Sequence, residues 1–402
     1  MATSTTFTSA LKGDRSLADS PTPPSDVIPN SANLFPKWGD KLSPTGLDIW
    51  IFDAISENGG DTLGISFFRD GSEASKGFKV TVNATWVDGT VWGRHLFAPV
   101  SEVTLEGADI SSGLVRGVWR TEDNVDGGGD GERVSATFEV AADLSTARVT
   151  IDAPGRVTGT LTLRSRGYPA LPKTAREAEL ALGVHWTWAI ALADTTADLT
   201  FHFDDPARPG EKTARRLILG PEQRAFGGLD RSWTTTSWVK EATESVYLRA
   251  KAGPYYVSLM RLVGTSRKNY EAVTTGALFG SDGKLLSRVL APLPPDQSDS
   301  SAVADTVEVE KLYDGDGLSA KFRDKAVGTR LVFHSARAEE KGAKWTFDLR
   351  NRRAWWARPT SPPGPNATGS YAFVVEVTGG RDGSDESLTG WGYIGYIEVP
   401  NR

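Results

Sequence analysis

Apolar and polar residues alternate with a period of two along most of the chain. Runs such as Leu47–Ser56, Thr62–Arg69, Phe78–Val87, Val91–Phe97, Val134–Val140, Ala147–Ile151 and Val157–Arg164 put every second side chain on one face. A second series runs through Val184–Ala193, Leu199–Phe203, Arg215–Leu219, Ser245–Ala250, Tyr255–Leu262, Ala272–Phe279, Lys284–Leu290 and Val307–Tyr313. It continues through Leu318–Arg323, Arg330–Ser335, Lys344–Leu349, Tyr371–Val377 and Trp391–Val399. Each run is short, rich in β-branched or aromatic residues, and bounded by Gly, Pro, Asp or Asn. Asp-Gly pairs at 88–89 and 282–283, and the segments 126–131 and 314–317, supply hairpin turns. About twenty strands at this spacing predict an all-β protein of antiparallel barrels or sandwiches. The one helix predicted is short, near Thr174–Glu179.

The stretch Arg166–Glu179, with its prolines followed by charges, predicts a boundary between a β-domain over residues 31–180 and a second over 181–402. Residues 1–30, with Pro21, Pro23, Pro24 and Pro29, read as a flexible N-terminal tail. Two β-domains of similar size leave a cleft where ligands commonly bind. Alternation sets Asp53 beside Ile49 and Ile51 on one face of its strand, with Trp50 and Phe52 on the other. Asn83 shares a face with Lys79, Thr81 and Thr85. Asp53 is then either structurally paired or facing a cavity, and Asn83 lies either on a solvated strand face or in a polar-lined barrel interior.

Composition narrows the function. The chain has 402 residues, 39% hydrophobic and 24% charged, with a net charge of −6. That suits a globular protein and gives no basic footprint for nucleic acid. There is no cysteine, so disulfides, thiolate metal sites and a cysteine nucleophile are excluded. The N-terminal residues Met1–Asp19 lack a signal-like apolar run, and no later run reaches membrane-spanning length, so a cytoplasmic protein without membrane insertion is expected. On that expectation the two glycosylation-like triplets at Asn83 and Asn366 are chance matches. Thirteen Trp against two Met is unusual, and indole rings suit a pocket for a large conjugated ligand as well as they suit sheet packing.

Familiar catalytic signatures are missing. His95, His185, His202 and His334 have no metal-ligand spacing, and there is neither a Gly-x-Ser-x-Gly elbow nor a phosphate-cradling loop. Asp123, Asp126 and Asp130 miss the calcium-loop spacing. No metal site and no cofactor are expected. A reaction that only needs its two ends held face to face fits this inventory, because orientation alone carries a large effective molarity.

The ordered motifs point further. Phe35-Pro36-Lys37 precedes Asp48-Ile49-Trp50-Ile51-Phe52-Asp53-Ala54-Ile55-Ser56, then Gly77-Phe78-Lys79-Val80, Trp86, Asp88, Trp92, Arg94, Leu96 and Phe97. Later come Gly227-Gly228-Leu229-Asp230-Arg231-Ser232-Trp233, Ser237-Trp238, Glu244-Ser245-Val246-Tyr247-Leu248-Arg249 and Gly253-Pro254-Tyr255. Lys344-Trp345-Thr346-Phe347, Trp356, Arg358-Pro359-Thr360-Ser361 and Gly364-Pro365-Asn366-Ala367-Thr368-Gly369 follow. Over residues 33–397 this order resembles the fungal decalin-forming intramolecular Diels–Alderases of the equisetin and phomasetin type. The resemblance implies two lipocalin-like antiparallel β-domains with a pocket between or beside them, and no cofactor. It implies a linear polyenoyl tetramic acid as substrate, delivered by a polyketide synthase–peptide synthetase hybrid and closed stereoselectively to a decalin.

On this reading Asn83, as donor to the ring carbonyl, and Asp53 are the candidate catalytic residues. Trp50, Trp186, Trp233, Ala242, Met260, Trp345, Arg353, Trp356, Trp391 and Tyr393 are candidates for substrate contact. Trp233 is expected in a glycine-rich turn as either a pocket lid or a core plug, one arginine of the run Arg350, Arg352 and Arg353 either partners the tetramate enolate or the run is a solvated basic face, and Trp391 is expected to steer stereochemistry. Three positions depart from the family pattern: Asn83 replaces an aromatic, His185-Trp186 replaces a Tyr-Tyr type pair, and Trp391 replaces a small aliphatic. Two rivals stay open. One is a carotenoid-hydratase-like enzyme on an isoprenoid alkene, which an isolated buried acid such as Asp53 would favour. The other is a lipocalin-type binding protein without catalysis.

Overall fold

The structure is a computed structural model and describes the chain apart from residues 1–4, 14–23, 73–76, 123–132, 168–170, 182, 206–207, 209, 292–303, 338–339, 385–386 and 400–402. The loop with Asp123, Asp126 and Asp130 lies outside the described residues.

Strand-forming sequence becomes strand almost throughout. The first fourteen strands are β1 (Thr5–Lys12), β2 (Leu47–Ile55), β3 (Thr62–Asp70), β4 (Phe78–Thr85), β5 (Val91–Ala98), β6 (Val100–Asp109) and β7 (Ser112–Arg120), then β8 (Ser135–Val140), β9 (Thr146–Ala153), β10 (Val157–Ser165), β11 (Glu179–Ala181), β12 (Val184–Asp204), β13 (Lys212–Leu219) and β14 (Phe226–Thr234). They form one sheet in the order β1-β6-β7-β8-β9-β10-β12-β14-β2-β3-β4-β5, with β11 and β13 also pairing with β12.

The remaining nine are β15 (Ala242–Ala252), β16 (Tyr255–Gly264), β17 (Ala272–Phe279), β18 (Leu285–Val289), β19 (Thr306–Leu312), β20 (Gly328–His334), β21 (Lys344–Pro359), β22 (Gly369–Arg381) and β23 (Leu388–Glu398). Their order is β18-β17-β16-β15-β23-β22-β21-β20-β19, and the two edge strands approach each other.

Each sheet buries an apolar face. In the first, Trp50, Phe52, Phe67, Trp119 and Phe138 pack with ring centroids 5.0–5.9 Å apart. Two of the indole N–H groups there reach backbone carbonyls, Trp50 to Leu34 at 2.8 Å and Trp119 to Phe68 at 2.9 Å, so their burial leaves those donors satisfied. In the second, Leu331, Phe333, Phe347, Phe373, Val375 and Ile394 fill the interior. A third apolar cluster, with Ile55, Trp186, Phe226, Tyr256, Met260, Trp355 and Tyr393, joins the two sheets.

The all-β class agrees with the pattern; several elements differ. Val184–Ala193 and Leu199–Phe203 are one 21-residue strand. Its middle reads as a turn because Asp194, Thr196 and Asp198 are polar, yet Thr195 and Ala197 between them are buried, so the alternation never stops. Strand β14 was not anticipated, since two glycines and the Asp230-Arg231 pair read as a loop. All nine of its residues are buried, with the charges paired. The strands β1, β6 and β7 were also missed, while Leu318–Arg323 forms no strand. Within the first 30 residues, Thr5–Lys12 is an edge strand on β6 rather than part of a tail.

The expected division at residue 180 does not coincide with the change of sheet. Pairing of β12 with β10 and β14 keeps residues 184–234 in the first sheet. The crossover falls after Thr234. The helix predicted near Thr174 is α1 (Ala175–Ala178), capped by Thr174 Oγ1 accepting from the Glu177 N–H at 3.2 Å. A second single-turn helix, α2 (Trp238–Glu241), lies in the crossover. No helix among the described residues is long and apolar enough to cross a membrane.

Candidate functional site

Where the outer face of β2–β5 meets the second sheet, a cavity of about 540 Å³ remains. Strand register explains its floor. Pairing places Asp53, Gly64, Asn83 and Gly93 in one row across β2, β3, β4 and β5, with Ile51, Ser66, Thr81 and His95 in the next. The glycines make room. A Cβ on Gly64 would stand 2.9 Å from Trp355 Cζ2, and one on Gly93 would stand 2.9 Å from Asn83 Oδ1. Trp355 and Arg358 of β21 therefore reach across from the other sheet. The wall also includes Leu47, Ile49, Phe68, Trp186, Trp238, Tyr247, Met260, Trp356, Tyr393, Ile397 and Val399, with the polar Lys79, Thr360 and Ser370.

At one end sits a buried charge cluster that ties the sheets together. Arg249 Nη1 donates to Asp53 Oδ2 at 2.6 Å and its Nη2 to Asp230 Oδ1 at 2.5 Å; Tyr393 OH donates to Asp53 Oδ2 at 3.2 Å. Burial drives the Asp53 carboxyl above the usual carboxylate range, against the pull of Arg249 and with the push of Asp230. One guanidinium facing two carboxylates cannot neutralise both. Asp53 Oδ1 has no hydrogen-bond partner.

The other polar feature is cationic. Arg358 Nη2 donates to Asn83 Oδ1 at 2.8 Å and its guanidinium lies 5.5 Å from the Trp356 ring, but no carboxylate pairs with it among the described residues. Burial pulls its ionisation below the arginine norm. Asn83 Nδ2 donates to no described residue. Burial, then the nearby charges of Arg358 and Lys79, hold His95 at about 4, so its ring is neutral; Nδ1 lies 3.0 Å from Thr81 Oγ1. Lys79 is paired with Asp70 at 3.4 Å. The indole N–H groups of Trp186, Trp238 and Trp355 are buried without acceptors. An apolar trough with an excess of donors suits an amphiphile with an oxygen-rich or anionic head.

Of the residues singled out in the sequence, Asp53, Asn83, Trp186, Met260, Trp356 and Tyr393 line this cavity together. The others do not. Trp50 is in the interior of the first sheet, on the opposite face from Asp53. Trp233 is a strand residue of β14 rather than a loop lid, 1% exposed and stacked on His185 at 4.8 Å. Ala242 packs in the inter-sheet cluster without reaching the cavity, and Trp345 fills the core of the second sheet. Arg353 donates to the Gly59 and Gly60 carbonyls, tying down the β2–β3 turn. Trp391 lies over Gly59 of the same turn, beyond the cavity. Sequence reasoning missed Tyr247, Trp238, Trp355 and above all Arg358.

Comparison with known proteins agrees on one family. The family model described as Diels-Alderase-like matches residues 3–400. The chain is 56% identical to Diels-Alderase cghA of Chaetomium globosum over 98% of its length and 77% of that protein. It is 33% identical to Diels-Alderase fsa2 of Fusarium heterosporum, over 96% of this chain and 97% of the other. The crystal structure of CghA with Sch210972 superposes with a TM-score of 0.88 at 55% identity, covering 98% of this chain and all of that one. The chain belongs to the Diels-Alderase-like family and is an enzyme of that family.

Proposed function

We propose that the protein closes a linear polyenoyl tetramic acid into a decalin by an intramolecular [4+2] cycloaddition in the inter-sheet cavity. The observation that carries this reading is Arg358, a cation without a carboxylate partner among the described residues, in the wall of an apolar, aromatic trough. A 3-acyl tetramic acid is ionised at neutral pH and carries a hydrocarbon polyene, so head and tail match the two parts of the site. The relative's structure with Sch210972 supports a small molecule as the occupant.

The chemistry asks little of side chains. Three π bonds become two σ bonds and one π bond, and no proton or electron leaves the substrate. The trough's part is to hold the folded conformer, and orientation of this kind is worth several kcal/mol. Donors at the head group, Arg358 and Asn83 Nδ2, add electrostatic help where charge builds on the conjugated oxygens. Supply of the substrate by a polyketide synthase–peptide synthetase hybrid in the cytoplasm completes the reading.

A hydratase would need a free acid over the alkene, whereas Asp53 Oδ2 already accepts from Arg249 Nη1 and Tyr393 OH, which argues against that role. The test is incubation with a synthetic linear polyenoyl tetramic acid, following polyene absorbance and product by chromatography. Faster loss of absorbance than in buffer, with one dominant decalin, is expected. Tight binding with no rate change would make the protein a carrier.

A further inference from the structure

Four aromatic side chains run along the cavity wall. Trp186 lies 6.1 Å from Tyr247, Tyr247 lies 5.9 Å from Tyr393, and Tyr393 lies 5.2 Å from Trp355. The two tyrosines are not equivalent. Tyr393 commits its hydroxyl to Asp53, whereas the Tyr247 hydroxyl bonds to no described residue although its ring lines the cavity.

The backbone fixes where that hydroxyl sits. Tyr247 on β15 pairs with Met260 on β16 and with Gly395 on β23. Its ring lies across Gly395, where any Cβ would run into it. Glycine at 395 thus lets the ring lie flat along the wall instead of standing upright into the trough. Burial pushes the Tyr247 phenol above the ordinary tyrosine value, so it keeps its proton and stays a donor. Arg358 on one side and Asp53 and Asp230 on the other all act on its ionisation, so the phenol stands within electrostatic reach of both polar features of the site.

We propose that Tyr247 is a catalytic residue of the cycloaddition, donating a hydrogen bond to the acyl carbonyl conjugated with the dienophile while Arg358 holds the ionised ring. This rests on the tetramate reading above. As the diene adds, electron density moves onto the dienophile and its carbonyl oxygen, so a donor placed there binds the transition state more tightly than the substrate. No proton is transferred, and the tyrosine ends the turnover as it began.

The experiment compares wild type with Tyr247→Phe on a synthetic linear polyenoyl tetramic acid. Loss of about ten- to a hundredfold in kcat is expected, with KM within about twofold and an unchanged melting transition. A purely structural role would instead lower the melting temperature, and kcat within twofold of wild type would overturn the assignment while leaving the activity intact. If the Phe variant does not fold, site-specific 3-fluorotyrosine at 247 keeps the ring and gives a stronger donor; an unaltered kcat there overturns the assignment equally. A wild-type protein that leaves the substrate unconsumed overturns the tetramate reading and this inference with it.

Discussion

Arg358 holds its charge at a place where a side chain gains little unless something anionic arrives. Among the described residues its side-chain oxygen acceptor is the neutral Asn83 amide. Removing a charge-assisted contact to a bound enolate costs about 1.5–3 kcal/mol, or roughly ten- to a hundredfold in affinity. Arg358→Ala should therefore raise KM by that factor with a smaller change in kcat, and Arg358→Lys should recover part of it; steady-state kinetics decide. Its place in a Trp-rich segment was the one signal in the sequence, and the sequence favoured Arg353 instead. The reason is local. Strand β21 carries two register shifts, between Asn351 and Arg353 and between Ala354 and Trp356. Each bulge adds a residue and resets which side chains point inward, so Trp355 and Trp356 both line the cavity and counting by twos from Trp345 fails. On the regular strands β2 and β4 the same counting sets Asp53 and Asn83 on the face opposite Trp50, Phe52, Val80 and Val82, which fill the core of the first sheet.

At the level of the element, the floor of the cavity is a strand row whose two glycines admit side chains from the facing sheet. Gly64→Ala adds a methyl 2.9 Å from Trp355 Cζ2, and an indole cannot move out of the way as a flexible chain would. The ring should be forced into the trough. A fall in kcat/KM of about tenfold or more is expected with a melting temperature lowered by only a few degrees, and an unaltered kcat/KM would show that substrate does not pass over Trp355. Trp391 gives the converse case. It packs over the turn at Gly59, whose φ is +70°, and does not line the cavity. Trp391→Val should lower the melting temperature through lost packing and leave the ratio of diastereomeric products unchanged, as chromatography would register. Element types were legible because period-two alternation is strong. Strand β14 was not, because its Gly227-Gly228 and Asp230-Arg231 mimic a turn until Asp48, Arg249 and the glycine-accommodated neighbours are in place.

For the whole molecule, the cluster of Asp53, Arg249 and Asp230 is a fastening between two sheets, since the arginine comes from β15 and the acids from β2 and β14. Its protonation is linked to folding. Asp53 has a folded pKa raised above its unfolded value, so its contribution to stability is fully present below the unfolded carboxylate range, near pH 4, and is lost as pH rises through the raised value. Thermal melts of wild type should thus fall more steeply from about pH 4 toward neutrality than those of Asp53→Asn, which leaves Arg249 with one acid. Equal slopes would mean that Asp53 is ionised throughout. The inter-sheet placement also explains why the division expected at residue 180 misses the crossover at 235–241: sequence pattern marks strands, and which sheet a strand joins depends on pairing far along the chain.

The glycine row carries one more consequence, for how such a site is mapped. Replacement by alanine, the usual survey, subtracts side chains and reports what each contributed. Gly64, Gly93 and Gly395 have nothing to subtract, and the shape of the trough depends on that emptiness. A survey confined to truncation would score the tryptophans and tyrosines and pass over the positions that let them lie where they do. Small gains of volume at these glycines would then alter which substrate fits, a kind of change that truncation experiments do not sample.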